Sequence, residues 1–450
     1  MASAGTSVSA RRVAFASLVG TSIEWYDYFL FGTAAVLVFN TQFFTSLSPT
    51  AGMLASLATF GVAFVARPFG GVIFGHFGDR LGRKSMLVLS LLMMGGGTVV
   101  IGLLPNYAQI GVWAPILLVA ARILQGFAVG GEWSGAVLMA AEHAPAHKRA
   151  YYASWPQCGV PIGMALSTGA FFLVQLMPAA EVQAWGWRIP FLASGVLVIV
   201  GLWVRLAITE SPEFAKIKEA GAQSKLPIAE VFATAKKPML LGILVLFAPN
   251  IPFYIATVFL LTYIPEHVGI SSSVVLLQLT VVSILEAFTI PRAAQLADRI
   301  GRSKTLMLGA AMFIVLAFPM FLLINTGSEV WLFLALVLML PVSHALSYAA
   351  AASYVSDIFP ARVRYTGTAM SYQLGSIASS APAPLIAGAL LAATGSWQGV
   401  ALYLAAAAAV TLLSLLLSRG DAALVHQEDA VGAADTVGIG QPEPVRAGVA

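Results

Sequence analysis

Of 450 residues, 59% are apolar and only 10% charged, where ordinary soluble domains carry roughly a quarter charged residues. So little charge cannot coat a core of this size, so much of the outer surface must face lipid, which excludes a soluble enzyme. The net charge of +4 is spread over short basic clusters between apolar stretches and forms no continuous stripe, so no nucleic-acid partner is expected.

Residues 1–12 read as a cytoplasmic tail carrying Arg11 and Arg12. The apolar stretch that follows is too long for a signal peptide and contains Glu24 and Asp27, so it is expected to be an uncleaved first span. A span needs about 20 mainly apolar residues. About twelve such stretches follow one another, which predicts an all-α membrane protein with twelve transmembrane helices. In the N-terminal half they run Ala14 to Phe39, Leu54 to His76, Met86 to Leu104, Val112 to Ala141, Tyr151 to Leu176 and Ile189 to Ile208. The C-terminal half continues Met239 to Ile264, Val274 to Leu296, Thr305 to Ile324, Val330 to Val355, Thr366 to Ala392 and Gly399 to Leu417. Residues 13–208 and 239–418 are therefore two six-helix bundles. Between them, residues 209–238 hold Lys216, Lys218, Lys225, Lys236 and Lys237 among acids and are too polar to enter a bilayer. Residues 419–450, with five acids, two arginines and no heptad pattern, are expected to be a disordered cytoplasmic tail.

Lysine and arginine collect in cytoplasmic loops, and here every second connection is basic. Arg80, Arg83 and Lys84 follow the second span, Lys148 and Arg149 the fourth, and the five lysines the sixth. Arg299, Arg302 and Lys304 follow the eighth, and Arg362 and Arg364 the tenth. Both termini are expected in the cytoplasm of a multi-pass protein of the plasma (inner) membrane.

The chain also repeats itself. Gly78-Asp79-Arg80-Leu81-Gly82-Arg83-Lys84 recurs as Ala297-Asp298-Arg299-Ile300-Gly301-Arg302-Ser303. Glu142, Pro145 and Arg149 recur at the same spacing as Asp357, Pro360 and Arg364. An even number of spans separates the copies, so the halves share one orientation, the parallel repeat of a transporter. A tight basic turn that merely satisfies the positive-inside bias is the plainer reading of the motif alone. Asp79, Arg80, Arg83, Glu142 and Arg149, with Asp298, Arg299, Arg302, Asp357 and Arg364, are candidates for charge networks that hold one state shut at the cytoplasmic face.

From Gly75 to Lys84 the pattern Gly-x-x-x-Asp-Arg-x-Gly-Arg-Lys resembles the signature of the major facilitator superfamily, and the resemblance covers nearly the whole chain. Glu24-Trp25-Tyr26-Asp27-Tyr28, Arg122-x-x-Gln125-Gly126, Gly130-Gly131-Glu132 and Glu210-Ser211-Pro212-Glu213-Phe214 resemble its metabolite:proton symporter branch, and within it the shikimate-type members. Members of that branch carry shikimate, oxoglutarate, citrate, or proline and betaine. The resemblance implies two pseudo-symmetric six-helix bundles and a motif loop that stabilises the outward-open state. The seventh span reads Ala248-Pro249-Asn250-Ile251-Pro252-Phe253-Tyr254, without the charges that shikimate-type members carry before the asparagine, so a shared ligand does not follow.

A charge at bilayer depth costs roughly 2.5 to 3.5 kcal/mol on insertion scales, so each one must face a cavity or a partner. Glu24 and Asp27, three residues apart, share a helical face and are the leading proton-coupling candidates, with a structural ion pair to Arg122 as the plainer reading. Arg122 suits a substrate carboxylate because its fork binds bidentately and stays charged. Arg67 and Glu132 read as either an interhelical lock or ligand and proton contacts. Glu286 is a second proton site or a partner of Arg292. Tyr26, Trp155 and Tyr254 are the aromatic candidates for a cavity wall, although most aromatics in such a bundle only pack. Gln125, Gln157 and Asn250 are candidates for ligand hydrogen bonds or interhelical glue.

The expected function is secondary active transport by alternating access: proton-coupled uptake of a small organic acid. Import of a zwitterion such as proline or betaine, export by antiport, and more remotely a sensor without transport are the alternatives. The histidines are dispersed, and with the single cysteine, Cys158, they form no metal or catalytic spacing. Neither enzyme activity, nor a metal, nor another cofactor is expected. The expected partners are protons, a small molecule and membrane lipid, with the chain acting as a monomer.

Overall fold

The computed structural model describes residues 10–81, 83–130, 149–206, 235–359 and 364–418. These residues are almost wholly helical, without a strand among them. Twelve rods, α1 to α12, fall where the twelve apolar stretches predict them. α1 is Ala10–Ala34, extended by a π turn at Ala35–Phe39 and by Asn40–Gln42; α2 is Pro49–Leu81, α3 Arg83–Leu103, α4 Trp113–Val129, α5 Arg149–Gln175 and α6 Arg188–Leu206. α7 is Lys236–Val268, α8 Ser272–Ile300, α9 Arg302–Ile324, α10 Glu329–Asp357, α11 Thr366–Thr394 and α12 Gln398–Leu417.

Among the described residues eight rods (α2, α5 and α7 to α12) are long and apolar enough by themselves to cross a membrane. α6 joins them if the bend of 46° to Ala179–Gly186 is counted within one span. The apolar parts of α3 and α4 are shorter, Val88–Leu103 and Trp113–Val129, and α1 carries two acids. Many large apolar side chains point outward, Trp203 at 75% exposure and Val330 at 74% among them. A helix that is apolar on its outer face as well as its inner one has lipid for a neighbour.

The packing repeats with the sequence. In the first half α1 lies on α5, α2 on α4, and α3 on α4 and α6; in the second half α7 lies on α11, α8 on α10, and α9 on α10 and α12. Even a local irregularity recurs: the π turn Ala35–Phe39 of α1 has its counterpart at Ile255–Phe259 of α7. Close approach rests on glycine where backbones nearly touch. A Cβ on Gly163 of α5 would lie 2.6 Å from the Tyr26 nitrogen of α1, and one on Gly126 of α4 would lie 2.3 Å from the Ala63 carbonyl oxygen of α2.

The bundles meet along two seams, α5 against α8 and α2 against α11. The Thr168 and Thr280 hydroxyls hydrogen-bond across the first at 2.8 Å, and Gly61 stands against the Ala381 backbone at the second. On the face away from the described chain ends, α1 and α7 also touch, through Ala35–Phe39 and Leu260–Tyr263. Nearer the middle, Phe29 packs on Phe253, and Phe60 and Phe64 on Tyr254, with ring centres 5.6 to 5.7 Å apart. The two halves are thus closed against each other on that face.

Candidate functional site

Between the closed end and the face that bears the chain ends lie two narrow, adjoining hollows. One is lined by Glu24, Trp25, Tyr28, Arg67, Val129, Tyr372 and Gln373 among others. The other is lined by Trp25, Arg67, Asn250, Phe253, Tyr254, His344, Tyr348, Tyr372, Ser376 and Ser380. Trp25, Arg67 and Tyr372 belong to both, so the hollows form one crevice walled by both bundles. Such a site, mostly aromatic with a few polar groups, has the make-up of a small-molecule pocket.

Arg67 of α2 precedes Pro68, which sits inside the helix. Its guanidinium carbon lies 4.5 Å from the Phe64 ring centre, 4.8 Å from Tyr28 and 5.7 Å from Trp25. The aromatic faces hold the cation by their quadrupoles without satisfying its N–H donors, and Nε has no hydrogen-bond partner among the described residues. Glu132, the pairing candidate for Arg67, lies outside the described residues, as does Glu142.

Arg122 sits one layer deeper, fully buried, with its guanidinium carbon 4.2 Å from the Phe31 ring centre and 4.5 Å from Tyr28. It lines neither hollow. It also forms no direct ion pair with Asp27, the partnership expected from sequence. Instead Arg122 donates to Gln125 Oε1 at 3.2 Å, and Gln125 Nε2 donates to the Thr98 hydroxyl at 2.8 Å. The Thr98 hydroxyl in turn donates to the Met94 carbonyl at 3.1 Å, and Ser194 of α6 donates to the Asp27 carboxylate. Gln125 and Thr98 thus tie α4 to α3, and Ser194 ties α6 to α1, while Nε and Nη2 of Arg122 find no partner among the described residues.

Other candidates divide between crevice and scaffold. Glu24, Asn250 and Tyr254 line the crevice, and Asn250 Nδ2 donates to Ser379 Oγ at 2.9 Å. Tyr26 donates its hydroxyl to the Pro190 carbonyl at 2.7 Å and so ties α1 to α6. Gln157 is buried without lining a hollow, and Trp155 is half-buried beside Tyr152. Gln125 serves as the link described above.

Glu286 is fully buried on α8, and its partner is His344 Nδ1 of α10. Arg292, the partner considered from sequence, instead donates to the Phe288 carbonyl on its own helix. His344 was missed in the sequence because the pair is separated by a whole helix and the histidines look scattered along the chain. One local signal was present: Pro341 sits inside the π turn Leu338–His344, and a proline within an apolar span marks a local break in the helix.

Of the charge networks expected at the loop motif, the C-terminal one is visible. Arg302 donates to both carboxylate oxygens of Asp357, at 2.6 and 2.8 Å, and so joins the start of α9 to the end of α10. Both helices belong to one bundle, so this pair ties a bundle together and does not bridge the two. Asp298 and Arg299 end α8. The side chains of Asp79, Arg80, Arg83, Arg149 and Arg364 lie outside what the structure describes. Among the described residues no cluster of histidine, cysteine and carboxylate side chains is arranged to hold a metal.

The comparisons with known proteins agree with this architecture. The family model for sugar and other transporters matches residues 13–225, and that for the major facilitator superfamily matches residues 251–442. The chain is 44% identical over 417 residues to the inner membrane metabolite transport protein YhjE of Escherichia coli K12, covering 91% of this chain and 94% of that one. It is 42% identical over 414 residues to the shikimate transporter of the same strain, with the same two coverages. A crystal structure of a D-xylose-proton symporter superposes with a TM-score of 0.70 at 19% identity, covering 91% of this chain and 97% of that one, and so shares its fold. With the repeat, the twelve rods and the relatives together, the chain belongs to the major facilitator superfamily of membrane transporters.

Proposed function

We propose that the chain is a proton-coupled symporter that takes up a small organic acid by alternating access. The observation that carries this reading is Arg67, a buried cation with an open donor on the wall of the crevice shared by both bundles. A carboxylate entering the crevice replaces the water such a donor has lost, and the guanidinium fork fixes its orientation. Asn250, Ser376 and Ser380 on the opposite wall offer hydrogen bonds to the rest of a hydroxylated acid. The similarity to a protein described as a shikimate transporter supports a carboxylate of that kind.

Asp27 is the proton carrier in this reading. It is buried to 1% exposure, receives the Ser194 hydroxyl, and is in no direct ion pair with Arg122, which donates to Gln125. Held on α1 with the Ser194 hydroxyl of α6 as its hydrogen-bond donor, this carboxyl is placed to take up a proton in one state of the cycle and to release it in another. Glu24 shares a hollow with Arg67, close enough to the substrate site for substrate charge to act on it. Rocking of the bundles about the α5–α8 and α2–α11 seams exposes the crevice to one face and then the other. The motif loops, including Arg302 and Asp357, steady the ends of the helices as they move. Both termini face the cytoplasm of the inner membrane, and one chain contains a complete crevice, so it works as a monomer.

Uptake into proteoliposomes with an imposed inward pH gradient tests this. Labelled shikimate, dicarboxylates, monocarboxylates, proline and betaine are offered in turn. A carboxylate is expected to accumulate, and a protonophore to abolish the accumulation. Accumulation of betaine or proline alone would establish the zwitterion reading, and no uptake with gradient-driven efflux would establish antiport.

A further inference from the structure

The C-terminal bundle holds an ionisable pair that the account of Asp27 and Arg67 leaves unused. Glu286 of α8 and His344 of α10 are 0% and 2% exposed and joined through Oε1 and Nδ1. The second carboxylate oxygen, Oε2, has no hydrogen-bond partner among the described residues, and neither has the buried hydroxyl of Ser283, one turn earlier on the same face of α8. His344 ends the π turn Leu338–His344 around Pro341. Single π turns inside α-helices recur at functional sites. The same histidine lines the crevice beside Arg67, Tyr348 and Tyr372, while Glu286 lies behind it.

Charge counting decides what this pair does. With one shared proton it is neutral overall, either as carboxylate with imidazolium or as carboxylic acid with imidazole. Without that proton it is a buried anion with an orphaned oxygen, which desolvation penalises heavily. Among the described residues, the groups packed around it offer no counter-charge that is already in contact. α5 presents Cys158, α10 Tyr348, α7 Phe253 and Tyr254, and α11 Tyr372. Arg67 of α2 is the cation on the facing wall of the crevice. The proton can leave only when water reaches His344 through the crevice, or when a charge moves there.

We propose that Glu286 and His344 together hold one transported proton, taken up and released through His344 when the crevice opens. This rests on the symport reading above and adds to it a second proton site, in the opposite bundle from Asp27. The coupling then depends on the state of the crevice, because the wall that binds substrate is also the proton's exit.

Three measurements test the pair. Glu286→Gln is expected to keep substrate counterflow within about threefold while lowering gradient-driven accumulation at least about tenfold. His344→Gln, which also alters the crevice wall, is expected to lower accumulation by a larger factor than counterflow, and each variant is expected to remove one substrate-linked proton from the medium change recorded by a pH dye. The double variant is expected to stay uncoupled. Wild-type accumulation and proton uptake in both single variants, or coupling regained in the double variant, would overturn the proposal in favour of a purely structural pair. The third measurement needs neither substrate nor variant folding: wild-type protein with isotope-labelled histidine is titrated by infrared or NMR spectroscopy. One histidine is expected to change state together with a buried carboxyl, and the absence of any such coupled change sinks the proton site. A wild-type protein that titrates this way but carries no carboxylate leaves the site standing and removes the symport reading instead.

Discussion

Replacing Arg67 with glutamine removes the charge and the fork from the crevice wall while keeping a side chain of similar polarity. Hydrogen bonds to charged groups contribute about 1.5 to 3 kcal/mol net, so one lost carboxylate anchor weakens substrate binding by about 2 to 3 kcal/mol. At 1.4 kcal/mol per decade, that is a rise in KM of about 30- to 150-fold. The contacts to Phe64, Tyr28 and Trp25 are present with and without substrate. Their loss, about 0.5 to 2 kcal/mol, therefore appears in the melting temperature and not in KM. Arg67→Lys separates charge from geometry: a point charge on a flexible stem keeps part of the attraction but cannot bind bidentately, and about a tenfold rise is expected. Counterflow in proteoliposomes gives KM and maximal rate for each variant, with thermal melting run in parallel. An Arg67→Gln protein that melts like wild type and has a KM within threefold of it would refute the placement of the substrate anion at Arg67.

Asp27→Asn is expected to abolish accumulation against a gradient and to spare exchange, as read by uphill uptake beside counterflow; unchanged uphill uptake would take Asp27 out of proton coupling. Gly163→Leu forces a side chain into a space where even a Cβ meets the Tyr26 backbone, and overpacking of this kind costs about 1 to 3 kcal/mol or more. A lower melting temperature and slower turnover are expected, whereas an unaltered variant would show that α1 and α5 separate freely. Arg302→Gln removes an ion pair whose partners are 37% and 28% exposed, so solvent screening limits the loss to about 1 kcal/mol or less. A melting temperature within a few degrees of wild type and an unchanged KM are expected, and a large rise in KM would contradict the placement of this pair within one bundle.

The helices, their number and the doubling of the chain were all legible without coordinates. Lipid imposes a one-dimensional rule, since a stretch of the right length either is or is not apolar enough to cross. The repeated Asp-Arg-x-Gly-Arg loops marked the two halves, and the basic clusters marked the ends of alternate spans. Glu24, Asp27, Arg67, Arg122 and Glu286 stood out because charge inside an apolar window is costly, and all five are buried in the structure.

What those charges touch was a matter for the tertiary structure alone. A helix with lipid on one side and protein on the other is apolar all round, so its sequence carries no amphipathic stripe to say which face turns inward. Rotation about each axis is decided by glycine contacts such as Gly126 on Ala63 and Gly163 on Tyr26, and by the interlocking of side chains across the bundle. That rotation brought Arg67 to the crevice and set Arg122 behind it under Phe31 and Tyr28, although both are arginines at bilayer depth. It also joined Glu286 to a histidine on a helix two spans away. The sequence by itself determined which residues had to be sheltered from lipid, because that cost is local; the packing of twelve rods decided which of them meet, because contact is not.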